Sequence, residues 1–133
     1  MINKALTLIS TYYEEMVADR RYLHMHPELS HQEVETSEFI ASRLESLGIE
    51  VRRNVGGRGV VGLIRGGKPG KTVAFRADFD ALPIDDKKEV SYKSTVPGVM
   101  HACGHDGHTA ALLGFAKAMN DVKSELSGNI VLI

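Results

Sequence analysis

The sequence lacks tryptophan, has a single cysteine and contains no long apolar run. One cysteine cannot form an internal disulfide, which excludes a disulfide-stapled scaffold. The apolar runs are far shorter than the roughly 20 residues that a helix needs to cross a bilayer, so no membrane association is expected. The N-terminal residues include acidic side chains and lack the basic stub and apolar block of a secretion signal, so we expect a cytoplasmic protein.

Charge and length set further bounds on function. The chain has 16 Lys and Arg residues against 17 Asp and Glu residues, and no basic stretch is long enough to follow a phosphate backbone. Nucleic acid is therefore not an expected partner. At 133 residues the chain has the length of one domain rather than two.

The first third of the chain is helical in pattern. Apolar residues at a spacing close to 3.6 predict a helix from Asn3 to about His24. Ser30 and Glu33 then form a capping-box pattern. It predicts a second helix over Ser30–Leu47, which ends at Gly48.

The middle of the chain has the pattern of strands. β-Branched runs over 49–55, 60–65 and 72–77 predict three of them. Pro69 and Gly70 stand in the order of a type II turn, which predicts an antiparallel hairpin between the second and third strands. A G-x-G-x-x-G match over 57–62 continues as a strand instead of a helix, so it predicts a tight turn and not a nucleotide site.

The last third contains a loop, a helix and a strand. Residues 80–99 have little periodicity and predict a long irregular loop. A helix is predicted from Gly107 or His108 to Met119, followed by a buried strand at Ile130–Ile133. Because the chain stops inside that strand, we expect an incomplete domain with an unpaired strand edge there, which favours self-association.

One short segment concentrates the residues that bind metals. Residues 101–108 hold three of the six histidines and the only cysteine. Thiolate and imidazole suit zinc and similar ions, and Cys103 and His105, two residues apart, can reach one ion together. Asp106 would bind the metal or hold a ring N–H. The alternative is a buried, unreactive cysteine beside solvent-facing histidines.

Two other segments carry candidate polar groups. Asp78 and Asp80 follow the third predicted strand and share a face, so either can orient a metal-binding imidazole or contact a ligand. Arg76 can instead form a structural ion pair with one of them. His24 and His26 lie near a helix end, where a structural role is favoured over metal binding.

Three blocks together resemble one enzyme family. They are R-R-Y-L-H-M-H-P-E-L-S-H-Q-E-V-E-T at Arg20–Thr36, R-A-D-F-D-A-L-P at Arg76–Pro83 and H-A-C-G-H-D-G-H-T-A at His101–Ala110. In this order they resemble the N-terminal part of the metal-dependent amidohydrolases, the N-acyl-amino-acid, hippurate and auxin-conjugate hydrolases of the aminoacylase and carboxypeptidase metallopeptidase family.

The resemblance implies a fold and a set of site residues. The fold is an α/β catalytic domain, a three-layer mixed sheet with flanking helices, of which residues 1–133 are the N-terminal portion. Cys103 and His105 match metal ligands of a two-metal centre of manganese or zinc. Asp78 matches the aspartate that supports the metal centre, and the block containing His24, His26 and Glu28 matches a structural signature. The roles of Asp80, His101 and His108 stay open.

The resemblance also implies a reaction and a limit on it. The parent protein would hydrolyse the amide bond of N-acyl amino acids or related small conjugates as a homo-oligomer. The family's general base is a glutamate just beyond the strand at Ile130–Ile133, so we expect the 133-residue chain to be inactive alone. The alternatives are a non-catalytic, self-associating module and a small zinc-stabilised domain that a chelator would unfold.

Overall fold

The computed structural model describes all 133 residues of the chain. Its helices are α1 (Ile2–Thr11), α2 (Tyr13–Met25), α3 (Val34–Ser46) and α4 (His105–Asp121), followed by a 3-10 turn at Lys123–Glu125. Its strands are β1 (Glu50–Val55), β2 (Gly59–Arg65), β3 (Lys68–Phe75) and β4 (Ser127–Leu132). No helix is long and apolar enough to cross a membrane.

The predicted first helix is two helices with a break at Tyr12. The Tyr12 hydroxyl hydrogen-bonds to Asp121, and the Lys117 ammonium lies 4.0 Å from the centre of the Tyr12 ring. Both partners flank the end of α4. The break therefore coincides with the residue that ties the N-terminal helices to α4, a long-range contact that local periodicity does not reveal.

The N-terminus of α3 is capped by a residue other than the predicted pair. The capping box of Ser30 and Glu33 is wrong, because neither side chain caps the helix. The Glu28 carboxylate instead accepts hydrogen bonds from the backbone N–H groups of Val34, Glu35 and Thr36, at 3.0, 3.2 and 2.6 Å. One carboxylate at the positive end of the helix thus satisfies three unpaired donors.

Removing this cap should destabilise the protein. We expect Glu28→Ala to lower the free energy of unfolding by about 1–2 kcal/mol, the usual cost of losing an N-terminal cap. Ser30→Ala is the matched control and should have little effect. Urea unfolding of both variants measures the difference, and a Ser30→Ala effect as large as that of Glu28→Ala would contradict the assignment.

The sheet order is β1-β2-β4-β3, so the predicted hairpin between the second and third strands is wrong. β4 lies between them, antiparallel to β2 and parallel to β3. Lys68 pairs with Ser127, which places the predicted turn residues Pro69 and Gly70 inside β3. The connection from β3 to β4 runs through α4, the crossover that a parallel pair requires.

The strand at the end of the chain is paired on both sides. β4 is hydrogen-bonded to β2 and to β3, so the predicted unpaired edge at Ile130–Ile133 is wrong. The edge strands are β1 and β3, and every residue of β3 is exposed. Any association through a strand edge would therefore use β1 or β3.

The core lies between the sheet and α3 and α4. Alternate residues of β2 and β4 are buried, among them Val60, Ile64, Ile130 and Leu132, and they pack with Leu44 of α3 and Leu113 of α4. α1 and α2 pack against α4. The mixed sheet with flanking helices that the resemblance implies is confirmed, as are the irregular loop over 80–99 and the tight turn between β1 and β2.

Candidate functional site

The candidate site lies where the parallel strands β3 and β4 end and α4 begins. Asp78 and Asp80 follow β3, and the backbone N–H of Ala77 still hydrogen-bonds to the carbonyl of Ile133. α4 begins at His105, earlier than predicted, because Gly104 turns the chain into the helix at a φ of +83°. The first turn of α4 thus faces the carboxyl ends of the two strands, which is where ligands bind in open α/β sheets.

Three potential metal ligands converge at this point. One ligand atom each from Asp78, His105 and His108 lies within 4.8 Å of the others. The Asp78 Oδ1 atom is 3.0 Å from His108 Nδ1 and 3.6 Å from His105 Nε2. The two rings stack with their centres 5.5 Å apart, since residues three apart lie on one face of a helix. One carboxylate oxygen thus lies beside two imidazoles.

Asp80 fixes the orientation of His105. The His105 Nδ1 atom lies 2.9 Å from Asp80 Oδ1 and 3.0 Å from the Asp80 carbonyl oxygen. Both of these oxygens accept, so Nδ1 carries the proton and donates. The Nε2 atom is left with its lone pair on the side of Asp78, which is the arrangement by which a carboxylate prepares a histidine to bind a metal.

Asp78 is ionised at neutral pH in this setting. The hydrogen bond from His108 lowers the pKa of Asp78, and partial burial opposes this effect more weakly. A backbone hydrogen bond to Asp78 lowers this pKa further. Arg76, the alternative partner for an ion pair, is exposed and approaches Asp78 only to 3.9 Å. The hydrogen bond from His108 is therefore the main support for the anionic form that Asp78 takes at neutral pH.

The other residues of the His101–His108 segment lie apart from this cluster. Cys103 is exposed, so the alternative of a buried, unreactive cysteine is wrong. Its thiol is not one of the three clustered groups. His101 is buried, and neither of its ring nitrogens has a hydrogen-bond partner. Burial lowers the pKa of His101, which favours the neutral ring.

His24 and His26 have the surroundings of structural residues. His26 ends α2, and its Nδ1 atom lies 2.8 Å from the carbonyl oxygen of Tyr22. The His24 side chain is 1% exposed and lies between two carboxylates, with Nδ1 2.7 Å from Asp106 and Nε2 3.2 Å from Asp86. Neither ring belongs to the cluster of potential metal ligands.

Asp86 is a buried carboxylate surrounded by donors. Burial alone would raise the pKa of Asp86, but hydrogen bonds from the Lys88 ammonium, at 2.7 Å, and from the backbone N–H groups of Ser94 and Lys88 together lower it well below its usual range. Asp86 therefore contributes to stability as an anion, and this contribution is lost on acidification.

The free energy of unfolding should reflect this pKa shift. Because the pKa of Asp86 is lower in the folded than in the unfolded protein, its contribution is complete above about pH 4 and declines as the pH falls from there towards the folded pKa. We expect Asp86→Asn to show a shallower acid-induced decline than the wild type. Urea unfolding at about pH 7 and about pH 3 measures this, and equal declines would contradict the assignment.

An open cleft of about 550 Å³ adjoins the cluster. Asp78, Asp80 and His105 line it together with Arg58 and Arg76. The cleft is of the size that small-molecule ligands occupy, and it carries both acidic and basic groups. Asp78 and His105 are thus accessible to a small substrate.

The comparisons with known proteins identify the family that the chain resembles. Residues 74–133 match the family model described as peptidase family M20/M25/M40. The chain is 64% identical over 121 residues to YhaA of Bacillus subtilis (strain 168), which is provisionally named an amidohydrolase. That alignment covers 91% of this chain and 31% of the relative. The predicted resemblance to the N-terminal part of the amidohydrolases is confirmed.

Two further relatives carry more specific names. The chain is 46% identical to the N-acyl-L-amino acid amidohydrolase of Geobacillus stearothermophilus, over 92% of this chain and 33% of the relative. It is 49% identical to the IAA-amino acid hydrolase ILR1-like 2 of Arabidopsis thaliana, over 91% of this chain and 27% of the relative. The chain thus spans about a third of the length of the curated relatives it matches.

Solved structures share the fold. A crystal structure from methicillin-resistant Staphylococcus aureus, provisionally described as an aminohydrolase, matches with a TM-score of 0.95 and 45% identity, over 99% of this chain and 34% of that one. A Bacillus subtilis protein, described as a dinuclear metal-binding peptidase of the M20 family, matches with a TM-score of 0.88 and 42% identity, over 92% of this chain and 35% of that one.

Proposed function

We propose that residues 1–133 are the N-terminal portion of the catalytic domain of a metal-dependent amidohydrolase. The protein would hydrolyse the amide bond of N-acyl amino acids or related small amide conjugates. The observation that carries this proposal is the orientation of His105 by Asp80, at the carboxyl end of a parallel strand pair and beside an open cleft. The names of the relatives, which act on N-acyl amino acids and IAA-amino acid conjugates, supply the substrate class.

The side chains present fit a divalent metal ion. Cys103 and His105 are the proposed ligands by their match to the family motif. Thiolate and imidazole favour zinc over manganese, and the Nε2 atom of His105 is left without a proton by the hydrogen bond at Nδ1. When bound, the ion would act as a Lewis acid and lower the pKa of a bound water. The place of His105 in the cluster with Asp78 and His108 and the dinuclear metal-binding neighbour support a metal at this point, whereas Cys103 rests on the motif alone.

The chain's own residues prepare this site. Asp80 holds the His105 ring by its Nδ1 proton, so that the ring need not reorient when a metal binds. Asp78, the proposed catalytic residue, stays ionised beside His105 Nε2 and adds negative charge where a cation would lie. His108 holds the Asp78 oxygen from the other side.

The 133-residue chain alone is proposed to bind metal weakly and to be inactive. A site with two protein ligands holds an ion less tightly than a closed site with four. Homo-oligomeric assembly and a cytoplasmic location stay predictions. The exposed edge strand β3 favours association, which is also the basis of the alternative, a non-catalytic binding module.

Hydrolysis of N-acetylated amino acids tests the proposal. The substrate is supplied with manganese or zinc to the longest polypeptide that the gene encodes, and separately to residues 1–133. We expect turnover by the longer polypeptide that a chelator and Cys103→Ser each abolish, and none by residues 1–133. Metal-independent turnover, or none by the longer polypeptide, would contradict the function. Turnover by residues 1–133 that Cys103→Ser abolishes would contradict the inactivity of the shorter chain.

A further inference from the structure

We propose that His24 of α2 is a positioning residue, which acts through Asp106 to fix the first turn of α4 and with it the direction of His105. The proposal rests on the proposed function only in treating His105 as a metal ligand. His24 itself touches none of the clustered groups. Its effect on the site therefore has to pass through a residue that it contacts.

Asp106 is the residue that makes this connection. The residue that precedes α4 is Gly104, which has no side chain to cap the helix. The Asp106 Oδ1 atom caps the helix in part, because it accepts a hydrogen bond from the backbone N–H of Gly107 at 2.9 Å. Its other oxygen, Oδ2, faces α2 and lies 2.7 Å from His24 Nδ1 and 2.9 Å from Arg20 Nε.

Because the contact between His24 and Asp106 is buried, its loss should have a large effect on the local structure. Both side chains are 1% exposed, so water cannot replace a lost partner of either one. Without His24, Asp106 Oδ2 would retain only the Arg20 guanidinium, 2.9 Å away and partly exposed, and we expect the carboxylate to shift towards it. For Asp106, movement means a shift of the first turn of α4, because its other oxygen is bound to that turn.

A shift of this turn would reach His105 directly. His105 precedes Asp106 in the chain, and its Nδ1 atom is held 2.9 Å from Asp80 Oδ1. A rotation of the turn would lengthen this contact and turn Nε2 away from Asp78. The path from His24 to the site thus consists of one buried hydrogen bond and one helical turn.

Two conservative variants separate positioning from simple packing. In His24→Asn the amide nitrogen falls near the place of Nδ1 and keeps the donor to Asp106. In His24→Gln it falls near the place of Nε2 and keeps only the donor to Asp86. Asp19→Asn is the control, because Asp19 also lies on α2 but pairs with Arg43 of α3, at 2.7 Å.

The first readout does not depend on metal. Amide hydrogen exchange of Gly107 and His108, whose N–H groups bond to the carbonyl of Gly104, is measured in the metal-free chain. We expect exchange at these two amides to be about tenfold faster in His24→Gln than in the wild type, and little changed in His24→Asn and Asp19→Asn. If His24→Gln does not fold, Arg20→Met removes the ion-pair partner of the same oxygen and should show a smaller increase.

The second readout is affinity for Zn²⁺ by calorimetric titration. We expect His24→Gln to bind about 10–100-fold more weakly than the wild type, and His24→Asn to bind nearly as well. Unchanged exchange in His24→Gln, or equal effects of His24→Gln and Asp19→Asn on exchange and affinity, would overturn the proposal. The titration uses the longest polypeptide that the gene encodes. If that polypeptide bound no metal, the proposed function would be overturned, while the exchange data would still decide the role of His24.

Discussion

Replacing His105 with alanine should weaken binding of a divalent metal by at least about a hundredfold. This is more than the usual loss when a residue that only hydrogen-bonds to a metal ligand is replaced. The Nε2 atom of His105 lies on the side of Asp78, while its Nδ1 atom is already held by the Asp80 carboxylate. His105 is also more buried than His108. Asp80→Asn leaves the ring in place but weakens its orientation, so we expect a smaller loss, of about tenfold. Titration with Zn²⁺ in a calorimeter measures both.

The control for this prediction is His31→Asn. His31 is exposed and belongs to no cluster of potential ligands, and asparagine tolerates its positive φ of 68°. Its Zn²⁺ affinity should equal that of the wild type. If His105→Ala bound zinc as well as this control does, His105 would not be a ligand. If Asp80→Asn had no effect, the orientation of the ring by Asp80 would not matter for binding.

Gly128→Ala should destabilise the fold by more than about 4 kcal/mol, in the range that single substitutions rarely reach. Gly128 lies in β4 at a φ of +86°, which residues with a side chain rarely adopt. An added Cβ atom would also overlap the carbonyl oxygen of Lys71 in β3. The oxygen belongs to the backbone of β3, and the Cβ atom would be fixed to the backbone of β4. The overlap is therefore relieved only by separating the two paired strands.

Gly48→Ala separates the cost of the positive φ from the cost of the steric overlap. Gly48 has a similar φ of +72°, but nothing lies within 4 Å of an added Cβ atom. Gly48→Ala should lower the free energy of unfolding by about 1–2 kcal/mol, which is the cost of the left-handed backbone conformation alone. Urea unfolding of both variants measures the difference. A Gly128→Ala protein as stable as Gly48→Ala would mean that the backbones of β3 and β4 do not approach each other as described.

The sequence predicts elements well where one local pattern decides them. The strand predicted at Ile130–Ile133, which the structure gives as Ser127–Leu132, and the helix that holds His108 follow from apolar runs. The predicted hairpin failed because Pro69 and Gly70 are locally suited to a turn, whereas β4, almost sixty residues later, competes for the same edge of β2. The capping box failed for a similar reason, since Glu28 reaches α3 from outside it.

In the candidate site, too, some residues follow from a local pattern and others do not. Asp78, Cys103 and His105 are found by motif. The partners that prepare them depend on the tertiary fold, since Asp80 and His105 are 25 residues apart and Asp78 and His108 are 30 apart. The sequence indicates these contacts only in outline, through the spacing of His105 and His108 on one helix and the place of Asp78 and Asp80 at the end of a strand.

Titration with Co²⁺, followed by optical absorption, tests most directly whether Cys103 and His105 hold one metal ion. A thiolate bound to cobalt gives a charge-transfer band in the near ultraviolet, and the visible bands report the remaining ligands. We predict that the wild-type protein gives both, that Cys103→Ser loses the charge-transfer band and that His105→Ala weakens binding and alters the visible bands. A wild-type protein without the charge-transfer band, or a band that survives in Cys103→Ser, would contradict the proposed metal centre.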